Sequence, residues 1–268
     1  MPTITGAPTL STKACRCGGS SYAIETEGPR MIHESSMQNR ILNTSSRAVC
    51  EDEPIDRAVW YGFLAVAFLS PPTLDLAASL ESATTELPPV HALRVPAHQL
   101  AQSLKDHAAS AHSGLSEGIP GPNPIAREYY RLFFNPQGSP CPLWQSQYYG
   151  ERRHLMSESH LSALAWYRRF GLEPVNAGAE PADHLGLLLA FAQKLAEMVA
   201  EGAIEEEISQ TFGRDHLSGW VTEFCHRLER CAQHPVFTAL ASLTDRFLEI
   251  CDTGGTASAV ESPQEPLR

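Results

Sequence analysis

Apolar residues recur at the period of an α-helix along the second half of the chain, and this repeat constrains the fold most strongly. Between residues 185 and 199 they fall at offsets 0, 3, 4, 7, 10, 11 and 14, which place one apolar stripe along a helix. The members of the stripe are Leu185, Leu188, Leu189, Ala192, Leu195, Ala196 and Val199. The runs 217–228 and 236–250 repeat the pattern, and no segment shows the strict alternation of an exposed strand. The sequence therefore predicts an all-α fold, a single-domain bundle of roughly eight helices around one core.

Three further helices are predicted before the middle of the chain. The run 55–69 is apolar almost all round, which is typical of a helix buried at the centre of a bundle. Prolines end it, the run 73–86 predicts a second helix, and residues 97–113 predict a polar, alanine-rich third helix. The Pro- and Gly-rich run 118–124 predicts a linker.

The charge and the cysteine content exclude several classes of protein. The formal net charge is −11, and no basic cluster is denser than a pair of arginines, so nucleic acid is not expected as a partner. A basic peptide fits better, because an acidic surface speeds its encounter. The longest apolar run is too short to span a bilayer, and the N-terminus lacks a secretory signal, so we expect no membrane insertion. Seven cysteines without a disulfide-like spacing favour reduced thiols in the cytoplasm.

Composition divides the chain into three parts. Residues 1–50 are rich in Ser, Thr, Gly and Pro without a sustained period, so we expect a disordered or loosely ordered N-terminal extension. Residues 51–252 carry the helical patterns and are expected to form the folded domain. The tail, residues 253–268, is again rich in Gly, Ser and Pro, and we expect it to be disordered.

Residues 180–186, with the sequence Glu-Pro-Ala-Asp-His-Leu-Gly, open the helix that carries the apolar stripe. Proline favours the first helical position, and if Pro181 lies there Asp183 falls in the first turn. The simplest role of Asp183 is then to complement the helix dipole. His184 is not needed as a cap and lies outside the apolar stripe. The two side chains together can instead form hydrogen bonds with the backbone of a bound peptide.

Aromatic side chains follow the Pro-rich loop near residue 140. Trp144, Tyr148 and Tyr149 lie in this loop or just after it, and Phe133 before it is expected in the core. The ring faces of the first three can accept an arginine guanidinium by cation–π contact, worth about 0.5–2 kcal/mol each. Aromatic grooves with a few polar groups are typical of peptide-binding surfaces. We therefore expect a binding site here rather than a catalytic one.

Three short motifs within residues 128–191 resemble those of the TorD/DmsD family of redox-enzyme maturation chaperones. The family pattern is Glu-Tyr-x-Arg-Leu-Phe, then Glu-Ser-x-Tyr, then Pro-x-Asp-His-Leu. The matching residues are Glu128, Tyr129, Arg131, Leu132 and Phe133 in the first motif, Ser146 and Tyr148 in the second, and Pro181, Asp183, His184, Leu185 and Gly186 in the third. The resemblance extends over residues 54–252, in the family's order and spacing.

The chain departs from the family pattern at several positions. Gln145 stands where the family usually has Glu, and Asn135 and Gln137 replace glycines. The helix after the third motif usually carries two acidic residues, and those positions here hold Leu188 and Ala190. Without these carboxylates the chain is expected to recognise a different client, or to bind its client less electrostatically.

The resemblance implies an all-helical cytoplasmic chaperone with no enzymatic activity and no cofactor of its own. Its partner would be a molybdenum oxidoreductase of the dimethyl sulfoxide reductase type, bound through its twin-arginine signal peptide and often as the apo form. Binding would hold back export until the molybdopterin guanine dinucleotide cofactor is inserted. The chain is expected to be a monomer, or a dimer that exchanges helices about the hinge 114–124. The peptide-binding residues expected on this basis are Trp144, Gln145, Ser146, Tyr148, Tyr149, Pro181, Asp183 and His184.

Two other functions stay open at the level of sequence. A metal-dependent enzyme could hold zinc with Cys15, Cys17 and either His33 or Cys50. The chain has neither a His-Glu-x-x-His motif nor paired Cys-x-x-Cys motifs, so we expect no metal. A structural helical adaptor in the assembly of a respiratory complex is the second alternative. An adaptor would co-purify with the mature enzyme, whereas a chaperone prefers the apo form.

Overall fold

The structure is a computed structural model that describes residues 55–113, 123–149, 157–174 and 180–253. The predicted N-terminal extension, nearly all of the predicted tail and most of the predicted linker lie outside these residues. The candidate zinc ligands Cys15, Cys17, His33 and Cys50 also lie outside them. The domain boundaries predicted at residues 50 and 252 therefore stay predictions.

The described residues form nine α-helices and one short 3-10 turn, and none of them forms a β-strand. The fold class is all-α, as predicted, and the number of helices is close to the roughly eight expected. The α-helices are α1 (Arg57–Leu69), α2 (Leu74–Glu86), α3 (Arg94–Ser113), α4 (Pro124–Phe133), α5 (Glu158–Arg169), α6 (Leu185–Ala200), α7 (Glu206–His216), α8 (Val221–Cys231) and α9 (Pro235–Thr253). The 3-10 turn is Gln145–Gln147. No helix in the described part of the chain is both long and apolar enough to cross a membrane.

Local sequence signals set where several helices begin and end. Asp56 caps α1, and its carboxylate accepts hydrogen bonds from two amides in the first turn. Asn123 caps α4, and Pro124 occupies the first turn, where its missing amide hydrogen leaves no bond unmade. Gly171 ends α5 with a positive φ of 69°. These signals act over a few residues, so the local sequence sets the start of α1, the start of α4 and the end of α5.

α6 lies at the centre of the core, and α1 packs along it. Nearly all of the first half of α6 is buried, Leu187 and Phe191 included, although the sequence predicts a single stripe there. α1 is the helix predicted to be buried all round, and that prediction is wrong, because Val59 is 39% exposed and Val66 is 54% exposed. One face of α1 covers α6 and the other meets solvent. Apolar composition does not separate the two cases, since folded proteins tolerate apolar residues at the surface.

A glycine allows α1 and α6 to approach each other closely. A Cβ atom at Gly186 would lie 2.7 Å from Cγ and 3.2 Å from the backbone nitrogen of Leu69. Carbon atoms do not approach so closely without strain, so the position accepts no side chain unless a neighbour moves. Gly186 therefore fixes the distance between the first turn of α6 and the end of α1.

The first of the three motifs holds α4 to the turn between α8 and α9. The buried Glu128 carboxylate accepts two hydrogen bonds from Arg131, at 2.6 and 2.7 Å, and one from the amide of Gln233 at 2.6 Å. Arg131 also donates to the carbonyl of Cys231 at 2.7 Å. The buried Tyr129 hydroxyl donates to a carbonyl at the end of α1, at 2.7 Å. These motif residues stabilise the fold around the site.

Candidate functional site

The segments that carry the second and third motifs lie side by side. Two backbone hydrogen bonds, of 2.7 and 3.0 Å, join residues 143–145 to residues 183–185. They flank an antiparallel bridge between Trp144 and His184. The structure therefore brings together the two halves of the site that the sequence predicts.

Asp183 lies wholly inside the protein, with 0% of its surface exposed. Its Oδ2 atom accepts a hydrogen bond from the amide of Ser146 at 2.8 Å. Its Oδ1 atom and the Ser146 hydroxyl are buried, and neither has a hydrogen-bond partner among the described residues. A buried carboxylate with one oxygen unbonded is costly, so the single bond to Ser146 is an important one. In this conformation Asp183 positions the 3-10 turn and does not reach solvent.

The helix at the third motif begins later than predicted. α6 starts at Leu185, so Pro181 is not its first residue and Asp183 is not in its first turn. The chain makes a turn before the helix, in which the amide of His184 donates to the carbonyl of Pro181 at 3.1 Å. The prediction fails because residues 183–185 pair with residues 143–145, and such a long-range pairing has no local sequence signal.

His184 is the N-cap of α6, so the prediction that it is not needed for capping is wrong. Its Nδ1 atom accepts a hydrogen bond from the amide of Gly186 at 3.1 Å, which places the hydrogen of the neutral ring on Nε2. Burial lowers the pKa of His184 to about 3, because the charged ring would lose its hydration. The ring stacks on Phe134 at 6.5 Å between centroids and lies 5.9 Å from Trp144. His184 is therefore a neutral cap held between aromatic rings.

Two residues of α5 hold the turn before α6 in place. Nδ1 of His160 accepts a hydrogen bond from the amide of Ala182, and the Tyr167 hydroxyl donates to the carbonyl of Ala182, each at 2.8 Å. Burial raises the pKa of Tyr167, so its hydroxyl keeps its hydrogen. No sequence signal pointed to either residue, since they lie 22 and 15 positions away on another helix.

Gln145 is buried and uses both ends of its side-chain amide. Its Nε2 atom donates to the carbonyl of Asp215 at 2.9 Å, and its Oε1 atom lies 2.9 Å from Nδ1 of His216. Because Oε1 accepts, Nδ1 of His216 carries the hydrogen. Nε2 of His216 lies 3.2 Å from the Ser162 hydroxyl, and burial lowers the pKa of the ring. An ionised glutamate in place of Gln145, the usual family residue, could not donate to the Asp215 carbonyl. The local network thus explains this departure from the family pattern.

The three aromatic residues predicted to face a ligand differ in orientation. Tyr148 packs inward against Trp220, at 5.0 Å between ring centroids, and its hydroxyl donates to the carbonyl of Pro142 at 3.0 Å. Tyr149 is 45% exposed, and Trp144 is half-buried. Trp144 and Tyr149 can therefore meet a ligand in this conformation, whereas Tyr148 supports the turn from beneath.

A series of aromatic rings runs from α4 to the third motif, and we call it the aromatic row. It consists of Tyr130, Phe134 and Trp144, with 6.1 Å and then 5.9 Å between neighbouring ring centroids. At its end, the indole Nε1 of Trp144 donates to Oε1 of Glu180 at 2.7 Å. Burial raises the pKa of the Glu180 carboxyl. Tyr130, at the other end, is 55% exposed, so the row is open to solvent there.

Tyr130, Phe134 and Glu180 are candidate site residues that were not predicted from the sequence. Tyr130 and Phe134 are four positions apart, the spacing that puts two side chains on one helix face, and this signal could have identified them. Glu180 directly precedes Pro181 in a run from which three other site residues were predicted.

The described part of the chain contains no group of three or more His, Cys, Asp or Glu side chains placed to hold a metal ion. The described cysteines Cys141, Cys225, Cys231 and Cys251 are free thiols. Within these residues the site thus offers rings, amides and carboxylates, which suit recognition of a peptide.

Comparison with known proteins relates the chain to redox-enzyme chaperones. Residues 92–226, half of the chain, match the family described as nitrate reductase delta subunit. The Tat proofreading chaperone DmsD of Salmonella typhimurium is 29% identical over 143 residues, which are 53% of this chain and 65% of the relative. The chaperone protein TorD of Shewanella loihica is 25% identical over 131 residues, which are 48% of this chain and 55% of the relative. The chain thus spans less than two thirds of the length of these relatives.

The match to residues 92–226 includes every candidate site residue described above. A solved structure of a redox enzyme maturation protein from Archaeoglobus fulgidus is similar over 74% of this chain and 96% of that chain, with 21% sequence identity and a TM-score of 0.45.

Proposed function

Since the chain belongs to the nitrate reductase delta subunit family, which takes in the TorD and DmsD chaperones, we propose that it is a maturation chaperone for an exported molybdenum enzyme. It acts in the cytoplasm, where it binds the twin-arginine signal peptide, the apo form, or both, of an oxidoreductase of the dimethyl sulfoxide reductase type. Binding holds the client back from export until its molybdopterin cofactor is inserted.

The pairing of residues 143–145 with residues 183–185 is the observation that carries this proposal. It joins the second and third motifs into one surface that presents aromatic rings and the carboxylate of Glu180. Such a surface suits a peptide with arginines and a Leu-rich stretch, because rings accept guanidinium groups and cover apolar side chains. The net charge of −11 adds a long-range attraction for a basic peptide.

We assign two roles within the predicted site. Trp144 and Tyr149 contact the peptide, since their side chains are partly or largely exposed. The other residues keep the surface in shape, because their side chains are buried or packed inward. They are Gln145, Ser146, Tyr148, Pro181, Asp183 and His184.

Isothermal titration calorimetry with synthetic twin-arginine signal peptides tests the proposal. We expect saturable binding by the wild-type protein, and an affinity lower by about 10-fold for Trp144→Ala. The control is Leu161→Ala on α5, which removes an exposed apolar side chain elsewhere and should leave the affinity unchanged. Absence of binding to any twin-arginine peptide, or equal affinities for wild type and Trp144→Ala, would contradict the proposed site.

Co-purification separates the chaperone from the two alternatives. We expect the protein to retain the apo form of a molybdenum enzyme with its signal peptide, and to release the mature enzyme. Retention of the mature enzyme alone would favour a structural adaptor. A stoichiometric metal ion in the purified full-length protein, together with activity lost on chelation, would favour an enzyme.

A further inference from the structure

We propose that the aromatic row binds the signal peptide in one orientation, with an arginine at Glu180 and the apolar stretch toward Tyr130. The inference rests on the proposed function, and it adds the direction in which the peptide lies.

Glu180 provides the charged end of the row. Its Oε1 atom accepts the indole hydrogen bond of Trp144 at 2.7 Å, which holds the carboxylate beside the ring. No Lys or Arg of the described residues forms an ion pair with Glu180. A half-buried carboxylate with no cation paired to it among these residues is suited to a guanidinium, because charge-assisted hydrogen bonds replace the lost hydration. The indole of Trp144 can add cation–π attraction to the same group.

The opposite end of the row is apolar. Tyr130 is 55% exposed and packs edge-on against Tyr129, at 5.5 Å between centroids. Arg131 follows Tyr130 in the sequence, but its guanidinium is bound to the Glu128 carboxylate and to a backbone carbonyl. This cation is therefore not directed at the ligand surface. The exposed area of this ring suits leucine side chains.

The spacing of the rings fits an extended peptide. Neighbouring centroids in the row are 6.1 and 5.9 Å apart. Two residues of an extended chain advance by about 6.5 Å, so alternate side chains can meet successive rings. The basic part of a signal peptide precedes its apolar stretch. The peptide therefore runs from its N-terminal arginines at Glu180 to its apolar stretch at Tyr130.

Double-mutant cycles measured by calorimetry test this orientation. The probe is a synthetic peptide with Arg-Arg followed by a Leu-rich stretch, and its two variants carry Gln-Gln or a Ser-rich stretch instead. We expect Glu180→Gln to lower the affinity for the parent peptide by about 10-fold and to leave the Gln-Gln variant unaffected. Tyr130→Ala should lower the affinity for the parent peptide by about 5-fold and leave the Ser-rich variant unaffected.

Two control variants show whether the changes in affinity depend on the position of the residue or only on the loss of a charge or of an apolar side chain. Glu201→Gln removes the same charge at the far end of α6, and Leu161→Ala removes an exposed apolar side chain from α5; neither should couple to either peptide change. The orientation is overturned if Glu180 couples to the apolar stretch of the peptide, or to neither part of the peptide. In that case the proposed function still stands, provided that the wild-type protein binds the parent peptide. If the wild-type protein binds no twin-arginine peptide, the proposed function and the orientation both fail.

Discussion

The carboxylate of Asp183 holds the backbone of Ser146, 37 positions earlier in the chain, by a buried hydrogen bond of 2.8 Å. Beside it, the amide of Gln145 donates to the carbonyl of Asp183 at 3.0 Å. The 3-10 turn and the segment before α6 are thus joined by both a side chain and the backbone. A change at Asp183 is therefore expected to reach a bound peptide through the position of Trp144.

Two replacements of Asp183 distinguish the effect of its hydrogen bond on stability from the effect of its buried charge. Asp183→Ala leaves the buried Ser146 amide without a partner, and we expect a loss of about 1–3 kcal/mol in the free energy of unfolding. Asp183→Asn keeps an acceptor and removes a buried charge, so we expect it to be at least as stable as the wild type. Urea unfolding followed by circular dichroism measures both. Equal unfolding midpoints for the Ala and Asn variants would contradict a role for this bond.

Acid is expected to destabilise the protein through His184. The unfolded chain takes up a proton at this residue below its ordinary pKa of 6.5, whereas the buried ring stays neutral down to about pH 3. The unfolded state therefore binds more protons in this window. The free energy of unfolding therefore decreases as the pH is lowered, and this residue contributes about 1.4 kcal/mol per pH unit.

His184→Asn tests the acid effect, because asparagine can cap α6 but does not titrate. Between pH 6.5 and pH 5 we expect a flatter dependence of stability on pH, with a residual slope from His216, whose pKa burial also lowers. The matched control is His98→Asn at an exposed position of α3, which should leave the slope unchanged. The explanation is excluded if the slope of His184→Asn equals that of the wild type.

Glu128→Gln tests the contacts of Glu128 with Arg131 and Gln233, which hold α4 to the turn after α8 and which we call the clamp. The change removes the ion pair with Arg131, and we expect it to cost about 1–3 kcal/mol in the free energy of unfolding. Burial alone would raise the pKa of Glu128, but the hydrogen bonds from Arg131 and Gln233 outweigh it and hold the pKa below its ordinary value. The clamp therefore stabilises the fold at neutral pH and is lost as the pH falls through that lowered pKa.

A surface pair provides the control for the clamp. Glu249→Gln removes a partly exposed ion pair with Arg246 on α9, and we expect a loss below about 1 kcal/mol. Thermal unfolding of both variants at pH 7 compares the two positions. A loss at Glu128 no larger than the loss at Glu249 would show that the clamp is unimportant.

Gly186→Ala tests the close approach of α6 to α1. The added methyl group would lie 2.7 Å from Cγ of Leu69, so we expect a loss of about 1–3 kcal/mol. Gly213→Ala in α7 is the control, because its added Cβ meets no described atom within 4 Å. There alanine should raise the stability by up to about 1 kcal/mol, since it favours the helix. Chemical unfolding should show opposite signs, and a similar loss in both variants would rule out the steric explanation.

The helical class and most helix positions could be predicted, because helix periodicity and capping act between residues a few positions apart. The apolar stripe from Leu185 to Val199 predicted α6, and the run 73–86 predicted α2. Local apolar character did not predict the exposed face of α1, because the exposed Val66 is as apolar as its buried neighbours. The order and spacing of the three motifs predicted the family, which the match to residues 92–226 confirmed.

The sequence by itself thus determined an all-α chain of the nitrate reductase delta subunit family and placed its candidate site between residues 128 and 191. Only the tertiary structure decided which of those residues face outward. The side chains of Asp183 and His184 are buried inside the protein, and Glu180 lies at the end of the aromatic row. The physical reason is that the contacts at the site join residues that are far apart in the sequence. Hydrogen bonds at the site join residues up to 71 positions apart, and the packing of whole helices sets those contacts.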